Sequence, residues 1–359
     1  MAVTYDHLWP LVIDWDNLSL AYQKARRGKR ARSDVARFEA HRERELLLLR
    51  NELRDGTWKP GGYRHFTIRW PKERVISAAP FRDRVVHHAI VNVLEPLFER
   101  RFVFDSYACR VGKGTHRAVA RAMRHLRARA YVLQADLRKF FPTIDHAVLL
   151  DVVSRRVRDE RLRSVLRAIL ASGQDIPGGV GPPVYDWREP EPLFAPLRPR
   201  GLPIGNLTSQ FLANVLLDVF DHEVLERIGC RGYVRYCDDV LVFDDDRDRL
   251  QETRRRMEAF LRSLRLELHP HKTFVQPTRV GIAFLGYRLT RAGVRVLPAS
   301  IARANARLRS QRRALATGRA ARGDVRASIA AWSAHLAHAN AAAVRRTLLR
   351  RHGLEALAR

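Results

Sequence analysis

Three aspartates carry the most specific chemistry this sequence could perform. Asp136 ends the largely apolar run Tyr131-Val132-Leu133-Gln134-Ala135, and Asp238-Asp239 lies between two further runs, Gly232–Tyr236 and Val240–Phe243. Carboxylates brought together repel one another unless a cation neutralises them. Magnesium suits such a cluster, because it takes oxygen ligands and leaves positions open for phosphates. Two such ions about 4 Å apart can activate a 3′-hydroxyl and stabilise a leaving pyrophosphate during in-line displacement. In that arrangement Asp136 and Asp238 hold both ions, and Asp239 supports the site from one side. An Asp-Asp pair also has an ordinary structural use, since Asp tolerates turn geometry and bonds its own backbone. The flanking apolar strands and the matching strand-end Asp136 favour the metal reading. Asp244-Asp245-Asp246 is different: it begins a helix, where negative charge suits the dipole.

The elements around these aspartates must bring them together. Residues 131–136 read as a strand, and Asn206 to Leu225 as a long apolar helix. Gly232–Tyr236 and Val240–Phe243 are two short strands. A helix capped by Asp246 follows, with Leu250, Met257, Phe260, Leu261 and Leu264 on one face, and then a strand near Thr273–Gln276. With residues 146–200 set aside as an insertion, the order is β-α-β-β-α-β, the split βαβ arrangement. There the third strand lies antiparallel beside the first, so Asp136 should meet the Asp238-Asp239 turn. Upstream, residues 1–60 read as helical and basic. Tyr63–Ile76 reads as a hairpin carrying Arg64, Arg69, Lys72 and Arg74, and Arg82–Phe102 as a helix. Residues 173–200 are rich in Pro and Gly and read as a loop, in which Gly178-Gly179-Val180-Gly181 is plain turn sequence. Gly112-Lys113-Gly114-Thr115 lacks the Ser or Thr that must follow the Lys of a P-loop.

Composition narrows the partners. The 359 residues include 66 Lys+Arg against 38 Asp+Glu, a formal net charge of +28 spread along the whole length. That excess suits a protein that tracks a long stretch of phosphate backbone, with an anionic membrane surface as the weaker reading. The sequence shows no secretory leader and no apolar run of about 18 residues that could span a bilayer. Cys109, Cys230 and Cys237 form no Cys-x-x-Cys pair, which fits a reduced, cytoplasmic protein without a zinc cluster.

At this point the motifs resemble a known family. Tyr236-Cys237-Asp238-Asp239 is similar to the Tyr-x-Asp-Asp box of reverse transcriptases, and Ala135 to Phe141 with Ile144-Asp145-His146 resembles their first catalytic block. Arg74-Val75-Ile76 with Arg82–Val86 resembles the fingers block of bacterial members. Ser106–Arg110 with Gly112–His116 resembles the block that follows. Leu268–Thr273 and Phe284-Leu285-Gly286 are similar to the lysine and primer-grip blocks. The resemblance covers roughly residues 10–290. It implies an α+β right-hand polymerase with fingers, a split-βαβ (ferredoxin-like) palm and a helical thumb. The expected divisions are 1–130 for an N-terminal extension and the fingers, 131–290 for the palm, and 291–359 for the thumb.

The resemblance also implies roles. Asp136, Asp238 and Asp239, with the Leu137 backbone, would bind two Mg2+ ions. Lys72 and Arg74 would grip the triphosphate of an incoming dNTP, unless they are a solvated hairpin face. Phe141 would pack under the sugar and exclude a 2′-hydroxyl; a core aromatic is its plainer reading. Lys272 would protonate the leaving pyrophosphate, or else serve as a phosphate-binding or surface lysine. Arg110, Tyr236, Phe284, Leu285 and Gly286 would contact primer and template.

Gly201-Leu202-Pro203-Ile204-Gly205-Asn206-Leu207-Thr208-Ser209-Gln210 is the block that separates subfamilies. Most reverse transcriptases carry Gln where Ile204 stands and Pro where Gln210 stands, and the form here resembles enzymes of diversity-generating retroelements. An apolar Ile204 cannot hydrogen-bond the incoming nucleotide, a physical route to misincorporation at template adenines; a neutral swap in another bacterial lineage is the alternative. This reading implies a dedicated template RNA copied into mutated cDNA, and a small basic oligomeric accessory protein. Retron signatures are absent, and roughly 70 residues follow Gly286, fewer than a group II intron protein usually carries. The rival functions are an antiviral reverse transcriptase without a target gene and a non-catalytic RNA-binding scaffold. The C-terminal His335 and His338, one helical turn apart, read as packing or RNA-facing residues.

Overall fold

A computed structural model describes residues 3–68, 73–173 and 198–358. The expected insertion loop near 173–200 and the hairpin tip with Arg69 and Lys72 therefore fall, almost entirely, outside the described residues. Four helices open the chain: α1 (Trp9–Val12), α2 (Trp15–Arg26), α3 (Ser33–Ala40) and α4 (Arg42–Asp55). The hairpin is present, with β1 (Arg64–Ile68) antiparallel to β2 (Arg74–Ala78) and Ile68 opposite Arg74. Helices α5 (Phe81–Glu99) and α6 (Thr115–Ala128) lead into the central sheet.

That sheet has four strands in the order β4-β5-β3-β6: β3 is Tyr131–Asp136, β4 Gly232–Tyr236, β5 Asp239–Asp244 and β6 Phe274–Pro277. All the neighbouring strands pair antiparallel. Helix α10 (Leu207–His222) connects β3 to β4 through a π-helical turn at Glu223–Arg227, and α11 (Arg247–Ser263) connects β5 to β6. This is the expected split βαβ topology. Asp246 caps α11 as its position suggested, accepting from the amides of Asp248 and Arg249.

Both faces of the sheet are covered, and strand alternation assigns each side chain to one of them. Leu133, Ala135, Tyr233, Val240 and Val242 pack into a core with α10, α11 and the N-terminal helices. Val132, Val234, Leu241 and Phe243 pack on the other side, with α6 and the C-terminal region. Burying both faces explains why these strands read as nearly continuous apolar runs.

Two features differ from expectation. The segment set aside as an insertion is helical through residue 171: after α7 (Phe140–Thr143), α8 (His146–Ser154) and α9 (Glu160–Ala171) bury Leu149, Val153, Leu162 and Leu166 in the first core. A second sheet of three short strands, β7 (Ile282–Phe284), β8 (Tyr287–Thr290) and β9 (Gly293–Val296), precedes the last helices. Its hairpin straddles residue 290, where the palm was expected to end. The last helices, α12 (Pro298–Ala316), α13 (Arg322–Leu336) and α14 (Ala342–His352), pack as the Arg- and Ala-rich helical unit that the sequence suggested. Within it His335 stacks on Tyr287 and is hydrogen-bonded to its hydroxyl at 2.8 Å, while His338 stacks on His116 at the start of α6. His335 is a packing residue, while His338 is exposed beside His116. No helix among the described residues is long and apolar enough to cross a membrane.

Candidate active site

The site forms where β3 ends. Asp136 is the register partner of Asp239 on β5. Directly opposed residues share a face, so these two carboxylates project from the same side of the sheet, that of Val132, Leu241 and Phe243. Asp238 sits in the two-residue loop that joins β4 to β5, and its carbonyl accepts from the Leu137 amide at 3.1 Å. Cys237, the first loop residue, has φ +57°. A positive φ there is usual for tight hairpin loops and unusual for a residue with a side chain.

The loop between α11 and β6 closes the site from the other edge. His269 donates its amide to the Asp136 carbonyl at 2.7 Å, and Arg138 donates to the Glu267 carbonyl at 2.8 Å. This pinning brings Lys272 round, and its Nζ donates to Oδ2 of Asp136 at 2.9 Å.

The electrostatics follow from crowding. Burial, then the negative charges of Asp238 and Asp136, push Asp239 up to about 7, with Lys272 opposing. Burial and Asp136 also raise Asp238, while its backbone, the Cys237 thiol and Arg74 pull the other way. The effect of Arg74 puts the β2 guanidinium within electrostatic reach of the loop. Burial, followed by Asp238, holds the Cys237 thiol protonated. The site is a strained anionic cluster that a cation would relieve.

The donor set fits magnesium: hard carboxylate oxygens at one sheet edge with backbone carbonyls beside them. As they stand, no three His, Cys, Asp or Glu side chains among the described residues close on one point as a metal cage would. Asp136 spends one oxygen on Lys272 instead. Asp136, Asp238 and Asp239 are the carboxylates that would hold a bound ion, which would neutralise their mutual repulsion.

The other expected residues fall into two groups. Phe141 packs edge-on against Phe140 and is half-buried; its carbonyl accepts from the Leu202 amide at 2.8 Å. Ile204 accepts from the Ser77 amide at 3.0 Å, and the Asn206 side chain donates to the Ser77 carbonyl at 3.2 Å. These bonds clasp the hairpin strand of Arg74 to the Ile204 segment. Gly205, at φ +114°, must be Gly, because a Cβ there would meet Ile76 at 2.8 Å. Phe141, Ile204 and Arg74 therefore belong to one neighbourhood. Gln210 is exposed on the far side of α10, in a cleft with Glu95, Cys109 and Val111.

Tyr236 accepts from the Thr115 hydroxyl at 3.1 Å. Gln134, two residues before Asp136 on the same face, donates to the Ala283 carbonyl at 3.0 Å. That bond sets the Phe284-Leu285-Gly286 turn beside the carboxylates. Phe284 itself is buried in the second core, while Leu285 and Gly286 form the turn, with φ +49° and +89°.

Arg110 is a correction. Its guanidinium is almost fully buried, forks onto Glu99 through Nε and NH2, and donates to the carbonyls of Val103 and Ser106. It secures the loop after α5 and is not offered to primer or template. The expectation failed because Arg in a basic stretch reads the same whether its partner is a phosphate or a carboxylate.

The sequence reading also overlooked a buried polar network behind the loop, formed by Arg235, Asp221, Asn214 and Ser106. The signal was charge within largely apolar elements, Asp218 and Asp221 in α10 and Arg235 in β4.

The chain is similar in sequence to several known proteins. Protein YkfC of Escherichia coli is 28% identical over 69% of this chain and 71% of its own length. The group II intron-encoded protein LtrA of Lactococcus lactis is 23% identical over 51% of this chain but only 29% of its own length. Nuclear intron maturase 2 of Arabidopsis thaliana is 27% identical over 35% of this chain and 20% of its own. Against the two intron proteins, then, the aligned region is less than a third of the relative. Telomerase from Candida tropicalis superposes on 66% of the chain and 49% of its own at TM-score 0.48 and 11% identity, too loosely to bear on function. The model of the family described as reverse transcriptase (RNA-dependent DNA polymerase) matches residues 64–289, well over half of the chain and the whole of the site, and the chain belongs to that family.

Proposed function

We propose that the chain extends a DNA primer along an RNA template at Asp136, Asp238 and Asp239, using two magnesium ions. The observation that carries this is the registered opposition of Asp136 and Asp239 with Asp238 in the adjoining loop. Bound magnesium would supply activation of the 3′-hydroxyl and neutralise charge on the departing pyrophosphate. Asp136 and Asp238 would be its carboxylate ligands, with the Leu137 backbone beside them. Arg74, with Lys72 nearby in sequence, would hold the triphosphate, and Phe141 would lie against the sugar. Lys272 would leave Asp136 as the ion arrives and hold its Nζ proton ready for the pyrophosphate oxygen. The N-terminal helices and hairpin would act as fingers, the four-stranded sheet as palm, and α12–α14 as thumb.

A finer reading rests on Ile204. Its side chain has no hydrogen-bonding atom, and its carbonyl bond to Ser77 keeps it beside the strand of Arg74. We take this loose hold on the nascent pair as support for error-prone copying at template adenines, as in a diversity-generating retroelement. That reading brings a dedicated template RNA, dNTPs and a small basic oligomeric accessory protein as partners. The intron-encoded relatives favour the alternative of a reverse transcriptase without diversification.

The test is DNA synthesis on a primed RNA template with magnesium, comparing the natural chain with Asp238→Asn and sequencing the products. Synthesis abolished by the substitution supports the site. Errors concentrated opposite adenine support diversification, and uniformly faithful products remove it. Equal synthesis by both proteins overturns the site assignment.

A further inference from the structure

Behind the loop that presents Asp238, the structure holds a charged pair that the polymerase reading does not use. Arg235 lies on β4 with its side chain 1% exposed, and Asp221 on α10 is 0% exposed. The pair is forked: Nε of Arg235 donates to Oδ1 of Asp221 at 2.6 Å, and NH2 donates to Oδ2 at 2.5 Å. Tyr233 donates its hydroxyl to the same Oδ1 at 2.6 Å. The remaining donors of the guanidinium reach outward. NH2 donates to the Ser106 hydroxyl at 3.0 Å, and NH1 to the Asn214 side-chain oxygen at 3.2 Å and to the Cys237 carbonyl at 3.2 Å.

The last of these bonds matters most. Cys237 is the loop residue with positive φ, an arrangement that a side chain opposes and that neighbouring contacts must hold. The next carbonyl, that of Asp238, is held by the amide of Leu137, the residue after β3. The two successive carbonyls of the loop are thus fixed by different elements, one by the strand of Asp136 and one by Arg235. The backbone of Arg235 is itself anchored, donating to the Asp105 carbonyl and accepting from the Tyr107 amide.

Stability alone does not account for the pair. Two charges taken wholly out of water lose hydration that their attraction only partly restores, and well-packed apolar replacements are often neutral or stabilising. Asp221 and Arg235 stand among buried apolar side chains of α10 and β4.

We propose that Arg235, oriented by Asp221, is a positioning residue that fixes the Cys237-Asp238 loop so that the Asp238 carboxylate is held beside that of Asp136. This inference rests on the reading of Asp136 and Asp238 as the polymerase site. A positioning residue acts on the geometry of the chemical step, so its loss should lower kcat and leave dNTP KM and primer–template affinity nearly unchanged.

Two variants of the full chain test it, with single-nucleotide extension, template–primer binding and thermal unfolding measured on each. Arg235→Lys keeps a buried cation for Asp221 but has no planar fork to reach Ser106 and Cys237 together. The triple variant Arg235→Met/Asp221→Leu/Tyr233→Phe removes both charges of the pair and the tyrosine hydroxyl bonded to Asp221 together. We expect both to unfold cooperatively and to lose at least tenfold in kcat, with KM and template–primer affinity within about twofold of the natural chain. A folded variant of either kind with kcat within twofold overturns the positioning role. So does loss of cooperative folding in both, which assigns the pair to the fold alone. Synthesis by the natural chain that survives Asp238→Asn is the separate failure of the site reading, and it is read in the same assay.

Discussion

Lys272 and Asp136, separated by most of the palm in sequence, meet through a single bond of 2.9 Å from Nζ to Oδ2. The lysine is half-exposed while the carboxylate is largely covered, so the ammonium sits as a movable lid on a fixed acid. If that ammonium is the proton donor of the reaction, Lys272→Met lowers kcat by about 100-fold, the lower end of the range for general acid catalysis, with dNTP KM nearly unchanged. Rapid-quench single-turnover extension over a range of dNTP concentrations is the measurement, and a raised dNTP KM with kcat retained would assign Lys272 to phosphate binding.

Crowding at the site predicts a gain in stability from a loss of charge. Asp239 faces Asp136 and neighbours Asp238 with burial on top of repulsion. Without divalent metal, Asp239→Asn should melt a few degrees higher than the natural chain. Added magnesium should raise the Tm of the natural chain and leave the variant less affected, by linkage to the state that binds it. Differential scanning calorimetry with and without chelator gives both values; an unchanged difference on adding magnesium would show that Asp239 does not feel the ion.

Ile204 offers a fidelity test. Ile204→Gln restores a donor and acceptor where the side chain now has none. Misincorporation opposite template adenine should fall by about tenfold, the worth of one hydrogen bond of roughly 1.4 kcal/mol, with bulk synthesis retained. Deep sequencing of products from a defined RNA template reads this out, and an unaltered error spectrum rules Ile204 out as its source.

The reassignment of Arg110 predicts where its loss is felt. Removing one member of a largely buried forked pair leaves Glu99 and two carbonyls short of a donor. Arg110→Met should cost about 2 kcal/mol of unfolding free energy, less than a fully buried pair because Glu99 is one-third exposed. Primer–template affinity measured on the folded fraction should change less than twofold. A tenfold loss of affinity with unchanged stability would return Arg110 to the nucleic-acid surface.

His87, buried in α5, predicts an acid limit to stability. Burial first, then His88 and Arg84, lowers its pKa from the ordinary 6.5 to about 3. Between those values the unfolded chain takes up a proton that the folded chain refuses. The stability is therefore complete above about pH 6.5 and declines as pH falls toward 3. At pH 5 the loss attributable to this one residue is about 2 kcal/mol. Urea unfolding of the natural chain and His87→Leu at pH 7.5 and pH 5 measures it, and parallel losses in the two proteins would clear His87.

By itself, the sequence determined the local structure and the convergence of the acids. The β-α-β-β-α-β order of apolar runs has few compact solutions, and the chirality and pairing rules place a strand-one end beside the turn of strands two and three. Asp136 and Asp239 were legible as partners for that reason, as was Asp246 as a cap. What only tertiary structure decided was the partner of each cation. Lys272 closes on Asp136 because the 265–273 loop is pinned to the end of β3 by backbone bonds. Arg110 turns inward to Glu99, and Arg235 inward to Asp221 and Cys237. The charge of an arginine is written in the sequence, but whether it faces a phosphate or a carboxylate depends on which surfaces the fold brings within about 3 Å, the reach of a hydrogen bond. The three-stranded sheet at 282–296 stayed hidden for a related reason. Strands of three or four residues show too little alternation to register, and they form only because the second core covers them.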